Sequence, residues 1–295
     1  MHRRNFSRML AGAALGSAVL PALPARAAPA EAQAPFRFSV MLWTIYRKLS
    51  FEQRVEKVAE AGYHAVELVD EYKKWGPEDF RNASAKLRSL GIVVDAMAGV
   101  GTGIANPQAR DKFLADLNKL VPIAEQLECP AIIVLSGDRV EGLSREAHQQ
   151  SCIDALKRAA EIADKRNLTL LLENIDQEEN PKYYLTSVAE GFEIIREVNH
   201  PRVKFLYDFY HEQISEGNLI EKLEKNIGQA GLFHVADVPG RHEPGTGEIN
   251  YANIYRKLAQ LNYRGYIAME FEPAGDPVTS LRAAREEALR AARGT

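Results

Sequence analysis

Cysteine is scarce. Cys129 and Cys152 are the two in a chain of 295 residues, too few and too far apart for a zinc cluster or a disulfide framework. They read as buried free thiols, with a single disulfide as the alternative. Positive charge is not in excess either: 37 Lys and Arg face 40 Asp and Glu, a formal net charge of −3. That balance gives no basic footprint for nucleic acid. Beyond the N-terminus no apolar run is long enough to span a bilayer. No G-x-G-x-x-G follows a strand-like run, so a dinucleotide-binding fold lacks its fingerprint. The stretch Gly99–Gly103 (GVGTG) has the wrong spacing, and no helix opens at its last glycine; it reads as a flexible active-site loop.

What remains is ordinary globular material, 46% apolar and 26% charged. It suits one large α/β domain plus a targeting segment. Residues 1–30 read MHRRNFSRMLAGAALGSAVLPALPARAAPA. Arg3 and Arg4 precede a mildly apolar stretch from Met9 to Leu23, and Ala25, Ala27 and Ala28 supply an A-x-A-like cleavage site. This order of n-region, h-region and small residues is that of a twin-arginine signal peptide. It implies export to the periplasm in a folded state and no membrane attachment after cleavage. Folding before export also lets a protein take up its metal in the cytoplasm. Cleavage near Ala28 removes Arg3, Arg4, Arg8 and Arg26 and no acid, which moves the formal charge from −3 to −7. Residues 31–35 form a short linker.

From residue 36 to 295 the chain alternates short β-branched runs with helical stretches. Strands are expected at Phe36–Leu42, Ala65–Val69, Ile92–Ala96, Pro130–Leu135, Leu168–Glu173, Val203–Tyr207, Leu232–Ala236 and Tyr266–Phe271. Helices are expected at Phe51–Ala61, Pro77–Leu90, Pro107–Leu127, Ser144–Arg166, Ser187–Val198, Glu212–Ile227 with a break near Gly217, Tyr251–Leu261 and Val278–Ala292. Gly62 and Gly91 end the first two helices. Eight such units fit a single-domain α/β (β/α)8 TIM barrel better than an open doubly wound sheet.

In that fold the chemistry sits where strands end and the following loops begin. Strand five ends in Glu173, strand six is followed by Asp208 with His211 three residues on, strand seven carries His234, and strand eight carries Glu270. A single acid at a strand end is usually a helix cap, and a single strand histidine is usually a core residue. Three carboxylates converging in one barrel mouth would repel each other unless a cation neutralises them. Oxygen ligands with one imidazole suit Mn²⁺, Mg²⁺ or Co²⁺, so Glu173, Asp208, His234 and Glu270 are the candidate ligands of one divalent metal ion. Glu67, at the end of strand two, is placed either to reach the pocket or to make an interior ion pair. Trp43, just after strand one, is placed either to wall the pocket or to pack.

At these positions the sequence resembles a known family. LLLEN (170–174), YDFYH (207–211), HVAD (234–237) and AMEFE (268–272) are similar to the xylose-isomerase-like barrels, the sugar isomerases and keto-sugar 3-epimerases. PGRHEPGTGEIN (239–250) is similar almost letter for letter to the loop after strand seven of hydroxypyruvate isomerases. The resemblance covers nearly the whole chain after residue 35. It implies that Glu173, Asp208, His234 and Glu270 hold the metal and that Glu173 and Glu270 also form the proton-transfer pair. It places Glu179, His211 and Arg241 among substrate-contacting residues. Such enzymes move a proton between neighbouring carbons through an enediolate. The resemblance implies a small-molecule carbohydrate or keto-acid substrate, and it is compatible with a homo-oligomer.

Two departures matter. His234 stands where hydroxypyruvate isomerases tend to have glutamine, as in keto-sugar epimerases. Glu178 stands where those isomerases tend to carry arginine, and an acid there disfavours a small anionic substrate. The same site type also serves lyases or hydrolases of 3-keto-glycosides. An apurinic-site endonuclease would need a multi-zinc site richer in histidine, and a non-catalytic sugar-binding barrel would need no proton-transfer pair.

Overall fold

The structure, a computed structural model, describes residues 35–294. The expected signal peptide and nearly all of the linker lie outside the described residues. Eight parallel strands close into a barrel in sequence order: β1 Arg37–Met41, β2 Ala65–Leu68, β3 Val93–Met97, β4 Ala131–Leu135, β5 Thr169–Glu173, β6 Val203–Asp208, β7 Ala230–Val235 and β8 Tyr266–Met269. The outer helices are α1 Phe51–Glu60, α2 Pro77–Leu90, α3 Arg110–Gln126, α4 Arg145–Lys165, α5 Val188–Val198, α6 Phe209–Ser215, α7 Leu219–Asn226, α8 Tyr251–Gln260 and α9 Pro277–Arg293. The TIM-barrel expectation is met.

Local chemistry sets the boundaries. Ser50 and Gln53 form a reciprocal capping box at the start of α1, satisfying donors that the first turn leaves orphaned. Gly91 ends α2 at φ 66°, a conformation that costs glycine nothing. Alternate strand residues point outward to the helices (Phe38, Val40, Val66, Val94) or into the barrel. The inward set, Met41, Ala96, Ile133, Leu171, Leu206 and Leu232, fills the barrel as a second small core. That plug makes the barrel interior a packed floor on which polar strand ends stand.

Two expectations are corrected. Helix α6 starts at Phe209, not Glu212, because Asp208 caps it: its Oδ1 accepts the His211 N–H at 3.0 Å. This puts His211 in the first turn of a helix rather than on a loop. The expected break near Gly217 is present, with Gly217 and Asn218 both at positive φ between α6 and α7. The second correction concerns Gly99–Gly103. Gly103 packs against the Gly137 backbone so closely that a Cβ would lie 2.5 Å from Gly137 Cα. Gly99 and Gly101 line a separate surface cavity with Tyr72 and Trp75, away from the polar strand ends. Cys129 and Cys152 are buried free thiols.

Candidate metal centre and active site

The barrel register brings the four strand-end residues together. Glu173 is the last residue of β5, and Asp208 the last of β6. Asp208 pairs across the sheet with His234 on β7, and His234 pairs with Ala268 on β8. Glu270 follows β8 by one residue, its N–H bonded to Val235 O at 3.1 Å. One donor atom from each of Glu173, Asp208, His234 and Glu270 lies within 4.8 Å of the others, and all four residues are buried.

His234 Nδ1 is the hub. It lies 2.8 Å from Glu270 Oε2, 3.2 Å from Glu173 Oε1 and 3.8 Å from Asp208 Oδ2. The first approach is not aligned as a hydrogen bond, so His234 Nδ1 and Glu270 Oε2 are both buried without a hydrogen-bond partner. A buried polar atom without a hydrogen bond costs about 1–3 kcal/mol, which for Glu270 Oε2 the nearby Arg241 guanidinium offsets in part. Convergent lone pairs of three carboxylates and one imidazole fit a hard divalent cation. The other face of the ring is fixed, since His234 Nε2 meets Glu67 Oε2 at 2.9 Å. Glu67 therefore sits beneath the cluster, fully buried. The expectation that it reaches the pocket gives way to the interior pair, which orients the imidazole as a carboxylate commonly does behind a metal-binding histidine.

Charge within the cluster is unbalanced. Burial pushes Asp208 up to about 6, although His211 pulls the other way. Burial also acts against the Glu270 carboxylate, but Arg241 and His234 outweigh it and hold its pKa well below the usual range. Burial opposes protonation of His234, yet Glu67 and Glu270 raise it well above normal. Carboxylates and imidazole thus compete for protons where a metal ion would relieve them all.

Arg241 closes one side. Its Nη1 donates to Glu179 Oε2 at 2.6 Å, its Nη2 lies 3.0 Å from Glu270 Oε2, and its Nε donates to Glu270 O at 3.3 Å. The guanidinium lies 5.1 Å from the Trp43 ring centre and 5.0 Å from that of Tyr210, within cation–π range. Trp43 Nε1 donates to Glu270 Oε1 at 2.8 Å. Trp43 thus serves as both pocket wall and partner of Glu270. A cavity of about 250 Å³ opens above, lined in part by Trp43, Glu173, Glu179, His211, Arg241 and Glu270. Glu178 is exposed and lies outside this lining.

Two further residues were not singled out from the sequence. Asp176 is fully buried; its Oδ2 holds His211 Nδ1 at 2.5 Å, and its Oδ1 accepts the N–H groups of Glu178 and Glu179. Burial lowers the His211 pKa, but Asp208 and Asp176 outweigh it and raise the value to about 9. A raised imidazole pKa adds stability that is complete below about 6.5 and lost as pH rises through about 9. Asp176→Asn is expected to bring the His211 titration, read by NMR on the metal-free protein, back toward 6.5. An unchanged titration would show that Asp176 does not govern His211. Asp237, just beyond the end of β7, is the second. Its Oδ1 accepts N–H from Val238 and Ile249, and its Oδ2 from Gly245 and Gly247. It folds the loop 239–250 into the shape that presents Arg241. His242 and Glu243 bond to the segment around Glu272–Ser280, so they shape the loop.

The chain belongs to the xylose isomerase-like TIM barrel family, whose model matches residues 55–293. It is 30% identical over 243 residues to the 2-oxo-tetronate isomerase of Pectobacterium atrosepticum, covering 81% of this chain and 93% of that one. It is 30% identical over 251 residues to the hydroxypyruvate isomerase of Escherichia coli, covering 83% and 97%. A solved structure described as AP endonuclease, family 2, from Brucella melitensis superposes with a TM-score of 0.77 at 28% identity, covering 83% of this chain and 96% of that one.

Proposed function

We propose that this protein is a divalent-metal-dependent isomerase or epimerase acting on a hydroxy-keto compound through an enediolate. The observation that carries the reading is the convergence of Glu173, Asp208, His234 and Glu270, with His234 Nδ1 and Glu270 Oε2 lacking a hydrogen bond at its centre. The similarity to hydroxypyruvate and 2-oxo-tetronate isomerases supports the reaction class.

A divalent ion held by these four residues would polarise a substrate carbonyl and its neighbouring hydroxyl and offset the charge of the enediolate. Glu173 ends β5 and Glu270 lies one residue past β8, both at the cavity floor; in this reading one removes a proton and the other returns it. Trp43 and Arg241 fix the Glu270 carboxylate in that role. Arg241 and His211 offer donors to substrate oxygens, and Glu179 holds the guanidinium plane. Glu67 keeps His234 in one tautomer, with Nδ1 toward the site.

The reading is tested by incubating the metal-loaded protein with hydroxypyruvate, ketoses and 3-keto-sugars in D₂O and following deuterium uptake at carbon by NMR. Uptake reports the enediolate even where net conversion is small, and its absence from every compound would refute the reading. Free aglycone as product would indicate a lyase or hydrolase. Metal binding has its own readout. Mn²⁺ at about 100 times its dissociation constant is expected to stabilise the fold by about 2.7 kcal/mol, seen as a rise in Tm that chelator reverses. The export reading goes with this proposal: changing Arg3 and Arg4 together to Lys is expected to keep the precursor in the cytoplasm, and normal periplasmic yield would sink it.

A further inference from the structure

The cavity above the metal centre has two unlike walls. The β5–β8 side carries Glu173, Glu179, Asn180, His211, Arg241 and Glu270. Beside Trp43, whose Nε1 already donates to Glu270, the arc from β1 to just past β5 is formed by Met41, Val69, Ala98, Ile133, Leu135 and Ile175, none of which has a hydrogen-bonding side chain. Its backbone donors are already taken. The Val69 N–H goes to Glu71 Oε2 at 2.8 Å, the Ala98 N–H to Leu68 O at 2.8 Å, and the Ile175 N–H to Leu185 O at 3.1 Å. The Ala98 carbonyl is claimed by the Tyr72 hydroxyl. A hydroxyl laid against this arc would give up water and gain little, a loss of about tenfold or more in binding.

The polar wall can donate to neutral oxygens but carries no excess positive charge. Arg241 is committed to Glu179 and Glu270. His211 is committed to Asp176 at Nδ1, and its Nε2 lies 3.6 Å from Asp208. With a divalent ion bound, Glu173, Asp208 and Glu270 still outweigh its charge, and Arg241 and His211 are balanced by Glu179 and Asp176, so a substrate carboxylate would enter a wall with no surplus positive charge.

We propose, resting on the enediolate reading above, that the substrate is an uncharged α-hydroxyketone or its isomer whose non-reacting end is a short apolar group. The reacting carbons and oxygens face the polar wall, and the apolar end lies along Val69, Ala98, Ile133 and Leu135. The volume of about 250 Å³ limits that end to a few carbons. Such a substrate differs from the acids named for the two relatives, which carry a carboxylate.

The test uses the Mn²⁺-loaded protein and a matched series: hydroxyacetone, 1-hydroxy-2-butanone and 1-hydroxy-2-pentanone against erythrulose and hydroxypyruvate. Deuterium wash-in from D₂O is followed by NMR, and affinity by calorimetry. The expected result is a rise in apparent kcat/KM of about fourfold per added methylene, with erythrulose and hydroxypyruvate below hydroxyacetone. Wash-in fastest with erythrulose or hydroxypyruvate would overturn the inference and leave the enediolate reading intact. If no compound exchanges, the reading falls, and calorimetry still decides the pocket: equal affinity for 1-hydroxy-2-pentanone and erythrulose overturns the inference. Val69→Thr replaces a methyl with a hydroxyl at nearly constant volume. It is expected to narrow the preference for 1-hydroxy-2-pentanone over erythrulose by about tenfold; an unchanged ratio overturns the placement of the apolar end.

Discussion

Replacing Glu270 with Gln is expected to slow turnover by roughly 10²- to 10⁴-fold at saturating metal, the usual loss for a general acid–base group. The substitution keeps the shape and one oxygen. That oxygen cannot serve both of its present partners, because Glu270 Oε1 accepts from Trp43 while Oε2 faces Arg241 and His234. Either orientation sets the new NH₂ against a donor. Metal affinity should fall moderately, and excess Mn²⁺ should restore occupancy without restoring rate. Glu173→Gln should behave alike. Arg241→Lys should differ: metal is kept, and KM rises more than kcat falls if the guanidinium binds ground and transition states equally. Metal-saturated kcat across the three variants is the comparison to make. Wild-type turnover by Glu270→Gln in excess Mn²⁺ would mean that Glu270 is a ligand only, and the two-carboxylate mechanism would be wrong.

Asp237→Asn is expected to cost about 3–6 kcal/mol of stability. Asp237 is fully buried, and both of its oxygens each accept two backbone N–H groups. An amide can present only one oxygen, so its NH₂ faces two donors, and hydrogen bonds to a charged acceptor are worth about 1.5–3 kcal/mol each. The loop has no room to adapt at Gly247, where a Cβ would lie 2.1 Å from Val238 O. Denaturant unfolding measures the loss. A change within about 0.5 kcal/mol, the range of an ordinary surface substitution, would show that the loop does not depend on this carboxylate.

Much of the barrel was legible in the sequence because its strands are short apolar runs bounded by glycine, proline and polar turns. The four-residue cluster was legible because acids and a histidine at successive strand ends are costly unless they converge. Other features lacked a local signal. The aromatic run Tyr207–Tyr210 has the composition of a strand, so the capping role of Asp208 and the early start of α6 were hidden. Glu67 reads as a strand end like Glu173 in the sequence, yet β2 runs on to Leu68 and the Glu67 carboxylate lies under His234. Asp176 gains its role from His211, 35 residues away, a contact that no spacing rule announces. Asp237 carries no local signal of its own, and its function appears only once the following loop wraps around it.

The four candidate ligands stand on strands or one residue beyond, while the side chains that meet the substrate come mainly from the connecting segments. The chemistry and the choice of molecule are thus carried by separable parts of the chain. Arg241 and Glu179 lie in connecting segments, so changes there would alter which molecule fits while leaving the strand-end cluster in place. On the proposed reading, selectivity can be revised in the loops while the register that closes the sheet holds the reacting groups in place.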